Sequence, residues 1–260
     1  MILDVIKTIV LGIIEGITEW LPISSTGHMI LANEFLKLNV SAEFWEMFEV
    51  VIQLGAIFAV VIICFKDLFP WGFDKSGTDT KETFNLWGKI VVSSIPTAII
   101  GLLFDDYINA HFFNAWTVAI MLIVYGILFI IIEKKHKGKN ARVKDINNIS
   151  YKDAFMVGLF QALAIIPGTS RSGSTILGGL LLGLDRSVAT SYTFYLAIPA
   201  MGGASLLKLL KFGFTFTSSE VIILVTGMVT AFIVSIFAIK FLLKYIRKND
   251  FTVFGYYRII

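Results

Sequence analysis

The chain has 260 residues, 56% of them hydrophobic and 16% charged, with a mean hydropathy of +0.79. Soluble domains carry about 25% charged residues because a small body has much surface to solvate, so a water-soluble globule is excluded and the chain belongs in a bilayer. A net charge of +3 with the basic residues gathered in short loops excludes a nucleic-acid footprint, and the single cysteine excludes a disulfide framework and a thiolate metal site.

A helix needs about 20 apolar residues to cross a bilayer. Residues 2–21 are an apolar helical stretch with no basic leader, and Glu15 and Glu19 stand where a cleavage site would lie, so the segment reads as mature structure. It runs into a polar segment, residues 22–28, followed by an apolar piece, 29–38, too short to cross. Residues 44–65 are the first clean span, with Cys64 read as a small buried apolar residue. Residues 86–104 and 116–132 are the second and third. After a basic loop, residues 151–166 repeat the earlier pattern. They run into a polar segment, 167–175, and then a short apolar piece, 176–184. Residues 187–210 and 221–243 complete five clean spans. The last stretch, 251–260, is too short to cross and reads as an incomplete last span, as in a truncated chain.

Helix, polar turn and half-helix, occurring twice, predict two re-entrant hairpins, since non-helical backbone at membrane depth must be buried in protein or line a wet cavity. At an offset of 146 the two segments pair Gly12 with Gly158, Glu15 with Gln161, Ser24 with Ser170 and Gly27 with Gly173, a weak internal repeat. The loop 133–153 holds Lys134, Lys135, Lys137, Lys139, Arg142, Lys144 and Lys152, which places it in the cytoplasm. Counting outward, 105–114 falls outside without Lys or Arg, and 66–83 falls inside with three lysines. Lys240, Lys244, Arg247 and Lys248 also fall inside, while Lys208 and Lys211 are a blemish on the outer side. Three spans per half make the halves opposite in orientation, so the hairpin tips approach the bilayer midplane from opposite faces. The expected fold is therefore a single all-α polytopic membrane domain over residues 1–260. It divides into a first repeat, 1–133, a cytoplasmic basic linker, 134–150, and a second repeat, 151–260. The linker has affinity for anionic lipid heads and no chemistry of its own.

Glu15 and Glu19 lie four apart, on one helix face. Burying them costs about 2.5 to 3.5 kcal/mol per charge even on lenient insertion scales. A shared cation, a shared proton or a basic partner would offset that, unless the helix end lies solvated at the interface. Residues 22–28 offer Ser24, Ser25 and Thr26, with His28 three residues after Ser25. An imidazole within reach of a hydroxyl makes a nucleophile and base pair, and the structural alternative is a Ser/Thr-rich cap on a helix starting at Met29.

Residues 167–175 read as a phosphate cradle. Gly168 and Gly173 let the backbone turn its N–H groups inward, and Thr169, Ser170, Ser172, Ser174 and Thr175 add short donors. Arg171 supplies a planar fork for phosphate oxygens. A helix starting near Ser174 or Thr175 would add its positive end. The string is not a P-loop, since it lacks the GxxxxGK[ST] pattern. The alternative is Arg171 paired with an intramembrane acid as structural glue, and the two are compatible with Glu15 or Glu19 as partner. Glu49 and Gln53, four apart on a span, either support the site or tie helices together. The two glutamates also form an oxygen-ligand site for a divalent cation, Mg²⁺ or Ca²⁺, which would lean on waters and substrate phosphates.

The string Glu-x-x-x-Glu-x-x-Pro-x-Ser-Ser-Thr-Gly-His over 15–28, together with Pro-Gly-Thr-Ser-Arg-Ser-Gly-x-Thr over 167–175, resembles the undecaprenyl-diphosphate phosphatases of the bacitracin-resistance type. The resemblance covers essentially the whole chain. It implies a multi-pass enzyme of the bacterial plasma membrane, with its site open to the extracytoplasmic face. Such an enzyme hydrolyses undecaprenyl diphosphate to undecaprenyl phosphate and inorganic phosphate, recycles the lipid carrier of cell-wall synthesis and confers bacitracin resistance. It implies Ser25 as nucleophile with His28 as partner, and Glu15 and Glu19 as the acidic motif. Ser170, Arg171 and Thr175 would hold the diphosphate beside Ser24 and Thr26, with a divalent cation required. The expected partners are the polyprenyl diphosphate and bilayer lipids, with no nucleic acid; a homodimer is left open. The expected course is attack by Ser25 with Arg171 and loop N–H groups on the phosphate oxygens and His28 relaying the proton. In the rival version Glu19 activates water directly. A lipid transporter is the reading from another class, because broken helices and inverted repeats are common in transporters.

Overall fold

The computed structural model describes residues 1–70 and 80–260, apart from the side chains of Asp105 and Asn109. Among the described residues the regular elements are helical, with one isolated parallel bridge between Val143 and Leu184. In chain order they are α1 (Ile2–Thr18), α2 (Ser25–Phe35), α3 (Ala42–Val51), α4 (Gln53–Ile63), α5 (Phe65–Leu68), α6 (Thr80–Phe112) and α7 (Ala115–His136). Then follow α8 (Tyr151–Leu163), α9 (Arg171–Leu181), α10 (Arg186–Phe212), α11 (Ser218–Ile246) and α12 (Thr252–Ile259).

Five stretches are long and apolar enough to cross a membrane: Ala42–Ile63, made of α3 and α4, then Thr80–Phe104, Ala115–His136, Arg186–Phe212 and Ser218–Ile246. They are the five spans legible in the sequence, and each starts one to six residues earlier than its apolar run, where polar caps open several of the helices. Asn114 caps α7, Asp185 caps α10, and Thr217 with Glu220 forms a capping box on α11. The first span breaks at Ile52, between α3 and α4. Large apolar side chains are exposed along the spans, among them Val91, Leu102, Ile123, Val225 and Phe237, a surface that water would not tolerate over so wide an area. Cys64 is buried, as expected. The expected inner loop 66–83 includes residues 71–79, which lie outside the described residues.

The two apolar stretches that fitted poorly as spans are each a helix pair closed at its base. α1 and α2 return to one end, where the Asn39 N–H donates to Asp4 (3.2 Å) and Lys7 donates to the Lys37 carbonyl (2.6 Å). α8 and α9 return to one end as well, where Arg142 donates to both Asp153 (2.6 Å) and the Leu182 carbonyl (2.9 Å). The basic linker is thereby docked, since the N–H groups of Arg142 and Val143 also donate to the Gly183 carbonyl. α10 starts beside this second base, whereas Met1, Asp4 and Asn39 of the first base share a cavity with Thr217 and Glu220 at the start of α11. The lysines that blemished the outer side pair with acids, Lys208 with Glu46 and Lys211 with Asp106.

α1 packs along α11 and α8 along α6. Glycines permit both approaches: a Cβ on Gly12 would lie 2.7 Å from the Thr230 Cβ, and one on Gly158 would lie 2.2 Å from the Ser93 carbonyl oxygen. Two apolar cores result. One gathers Leu11, Met29, Phe44 and Phe48; the other gathers Trp20, Phe129, Tyr192 and Phe194. α1 and the turn after it lead from the first core to the second, and Glu15 and Glu19 lie on the stretch between.

Candidate active site

The helices after the two polar segments start earlier than their apolar content suggested, α2 at Ser25 rather than Met29 and α9 at Arg171 rather than Ser174. The cause is the same in both. Ser24 and Ser170 take left-handed backbone, φ +72° and +71°, and cap the next helix by accepting from the N–H of Gly27 (3.3 Å) and Gly173 (3.1 Å). A non-glycine residue held there costs about 1–3 kcal/mol, and such strain concentrates at functional sites. Ser25, Thr26 and His28 are thus first-turn residues of α2, and Arg171 and Ser172 first-turn residues of α9, with Thr175 opening its second turn. Arg171 is therefore fixed on a helix rather than carried on a loop.

The two turns meet. The Arg171 guanidinium donates to one oxygen of Glu19 (2.8 Å) and the Ser25 hydroxyl donates to the other (2.6 Å). Glu19 so joins the expected nucleophile to the expected phosphate-binding arginine, and the acid partner foreseen for Arg171 is present. Arg171 also donates to the Thr193 carbonyl of α10 (2.8 Å) and stands 5.8 Å from the Trp20 ring centre. Ser172 donates to the carbonyls of Glu19 (3.0 Å) and Leu21 (3.3 Å), tying the α9 start to the α1 end. Ser170 and Ser172 exchange a hydroxyl contact (3.2 Å), and Thr175 is tied to the Arg171 carbonyl and to Thr193. Gly168 has φ +87°, and Thr26 is half-buried on the first turn of α2.

One expected contact is not formed. Ser25 bonds Glu19, not His28, whose Nδ1 bonds the Ser24 carbonyl (2.7 Å) and whose Nε2 meets the Tyr257 hydroxyl (2.9 Å). A carbonyl only accepts, so Nδ1 carries a proton and, in the neutral ring, Nε2 accepts from Tyr257. The helix beginning at Ser25 turns the imidazole back along α2 onto the tyrosine, whose ring stacks on it at 5.7 Å. Glu49 and Gln53 make no side-chain hydrogen bond among the described residues.

Several buried polar atoms of this region have no hydrogen-bond partner: both carboxylate oxygens of Glu15, the Trp20 indole N–H, the Thr169 hydroxyl and the Arg171 Nε. Native interiors leave few such atoms unpaired, and these lie on the end of α1 and the turn into α9, the segments joined by the Glu19–Arg171 pair. The partnerless carboxylate of Glu15 suits a divalent cation. Among the described residues no group of three His, Cys, Asp or Glu stands together, so an ion held by Glu15 and Glu19 would draw its remaining oxygens from water and substrate.

The residues missed at the sequence level are Trp20, Thr193, Tyr257 and Arg258. The last two lie on the short final stretch, where an arginine in an apolar run was itself a signal. Arg258 donates to the carbonyls of Pro22, Gly168 and Thr169.

The chain is similar to known proteins along essentially its whole length. An undecaprenyl-diphosphatase of Desulfitobacterium hafniense is 62% identical over 260 residues, covering 100% of this chain and 94% of the relative. One from Enterococcus faecalis is 61% identical over 257 residues, 98% of this chain and 93% of the relative. A third, from Acetivibrio thermocellus, is 58% identical over 258 residues, 99% of this chain and 95% of the relative. With residues 8–260 matched by the family described as bacitracin resistance protein BacA, the chain belongs to that family.

Proposed function

We propose that the protein hydrolyses undecaprenyl diphosphate to undecaprenyl phosphate and inorganic phosphate where α1, α2 and α9 converge. The observation that carries this is the Ser25–Glu19–Arg171 chain of contacts, in a protein whose near relatives bear that activity in their names. The terminal phosphate lies against the starts of α2 and α9, whose free N–H groups and positive ends favour an anion. Ser25 passes its proton to Glu19 as its oxygen bonds the terminal phosphorus, and the bond to the bridging oxygen breaks, releasing undecaprenyl phosphate. Arg171, Ser170, Thr169 and Thr175 hold the phosphate oxygens, where positioning and charge stabilisation supply most of the catalysis. Water then attacks the phosphoseryl phosphorus, His28 taking its proton on Nε2 in place of the Tyr257 hydrogen bond; the bond to the Ser25 oxygen breaks as Glu19 returns its proton to that oxygen, and phosphate leaves. Mg²⁺ or Ca²⁺ held by Glu15 and Glu19 would supply charge neutralisation on the diphosphate.

The two helix pairs act as re-entrant hairpins of an inverted repeat, 1–133 and 151–260 joined by the cytoplasmic linker 134–150. Supporting this are the matched left-handed serine caps and the two closed bases. The crossed packing of α1 on α11 and α8 on α6 agrees. In this arrangement the first hairpin enters from the extracytoplasmic face of the bacterial plasma membrane, and the site opens there.

The test is phosphate release from undecaprenyl diphosphate by the purified full chain in detergent, with and without chelator, for wild type and Arg171→Ala. Release that chelator suppresses and Arg171→Ala abolishes is expected; well-folded wild type that releases none refutes the reading.

A further inference from the structure

Arg258 is 4% exposed and, among the described residues, no carboxylate pairs with it. Its partners are backbone carbonyls from three segments. Nη1 donates to Pro22 (3.1 Å), in the turn before α2; Nη2 donates to Gly168 (2.7 Å) and Thr169 (2.9 Å), in the turn before α9. Longer bonds of 3.3 Å run from Nε to Leu122 and from Nη2 to Met121, both on α7. The guanidinium lies 5.4 Å from the Tyr125 ring centre.

Burying a cation without a counter-ion is expensive, and merely seating α12 on α7 would not require one. Glycine contact does the seating: a Cβ on Gly255 would lie 2.8 Å from the Gly126 oxygen, and a Cβ on Gly126 would lie 2.7 Å from the Gly255 oxygen. What the guanidinium adds lies in the turns. The carbonyls of Pro22, Gly168 and Thr169 accept no backbone hydrogen bond among the described residues. One planar fork satisfies all three at once, across 146 residues of chain from Pro22 to Gly168. These carbonyls stand two residues before Ser24, two before Ser170 and directly before Ser170, the two strained caps that aim Ser25 and Arg171.

We infer that Arg258 is a positioning residue: it clamps the backbone of the two turns together and so fixes Ser25 and Arg171 for attack, without touching the substrate. The inference rests on the phosphatase reading of the same site. It is tested by steady-state kinetics on the full chain with Arg258→Lys, which keeps the charge but loses the fork. Gly255→Ala, which keeps the Arg258 side chain but pushes α12 off α7 and so draws the guanidinium away from the turns, is measured in parallel. Folding is followed by elution profile and thermal midpoint.

In folded Arg258→Lys, kcat falls by about 10- to 100-fold with KM held, the size expected for reacting groups held loosely. Unchanged kcat overturns the proposal, as does a rise in KM at constant kcat, which would make Arg258 a substrate contact. If Arg258→Lys does not fold, Gly255→Ala carries the same outcomes. Failure of both to fold would assign α12 to stability alone and overturn it too. Wild type without turnover would refute the phosphatase reading, whereas an active wild type with unaffected variants refutes only this inference.

Discussion

Glu19 holds the centre of the site because one carboxylate has two oxygens and each is used, one by Arg171 and one by Ser25. In the proposed reaction the carboxylate, not His28, takes the Ser25 proton, since Ser25 bonds Glu19 and His28 is turned onto Tyr257. Two substitutions separate the roles. Glu19→Gln still accepts from the serine but cannot take its proton, so kcat is expected to fall by about 10²- to 10⁴-fold. Acid-quenched reactions with substrate labelled in the terminal phosphate should then show no label on Ser25. His28→Gln should let the label accumulate, because attack is preserved and the hydrolytic step is slowed. Absence of label in wild type and His28→Gln alike, with Ser25→Ala retaining substantial rate, would transfer the chemistry to direct water attack. The spacing of Glu15, Glu19, Ser25 and His28 was legible in the sequence. The Ser25–Glu19 bond was not, because it depends on where α2 begins.

At the scale of elements, each polar turn is held by the same device, a left-handed serine cap followed by a helix whose start carries expected site residues. The close packing of α8 on α6 supports the second turn from behind, with Ser93 donating to the Ala154 carbonyl at 2.6 Å and Gly158 lying against the Ser93 carbonyl. Gly158→Ala forces a methyl into that carbonyl, and overpacking of this kind costs about 1–3 kcal/mol. A lowered thermal midpoint is expected, with a larger loss of activity than in Gly203→Ala, since a Cβ on Gly203 meets nothing within 4 Å. Equal behaviour of the two variants would mean that the α6–α8 contact does not support the site.

Across the whole molecule, the charge distribution and the closed bases set a sidedness that can be measured. In a Cys64→Ser background, Asn39→Cys at the base of the first hairpin should react with an impermeant maleimide on intact cells. Lys137→Cys in the basic linker should react only after permeabilisation. Both positions are exposed. Labelling of both from one side would refute the proposed orientation. The end of α7 is tied to the second half as well, since Glu133 pairs with Arg186 of α10 and accepts from the Phe251 N–H. That buried acid holds the approach to α12, and so bears on the position of Tyr257 and Arg258.

Hydropathy by itself determined the membrane class and all five spans, because a helix that crosses lipid must be apolar over its whole length and nothing in the rest of the chain can override that. The two polar strings likewise stood out, since polar groups in apolar surroundings need a reason. Only the tertiary structure decided which of those groups meet. Ser24 and Ser170 start their helices early through strained backbone, a conformation that local preference disfavours and tertiary packing imposes. The short final stretch looked like a fragment of a span, yet it delivers Arg258 to carbonyls as far away in the chain as Pro22. No spacing rule links residues 236 positions apart, whereas a planar fork among backbone carbonyls left open by two turns does.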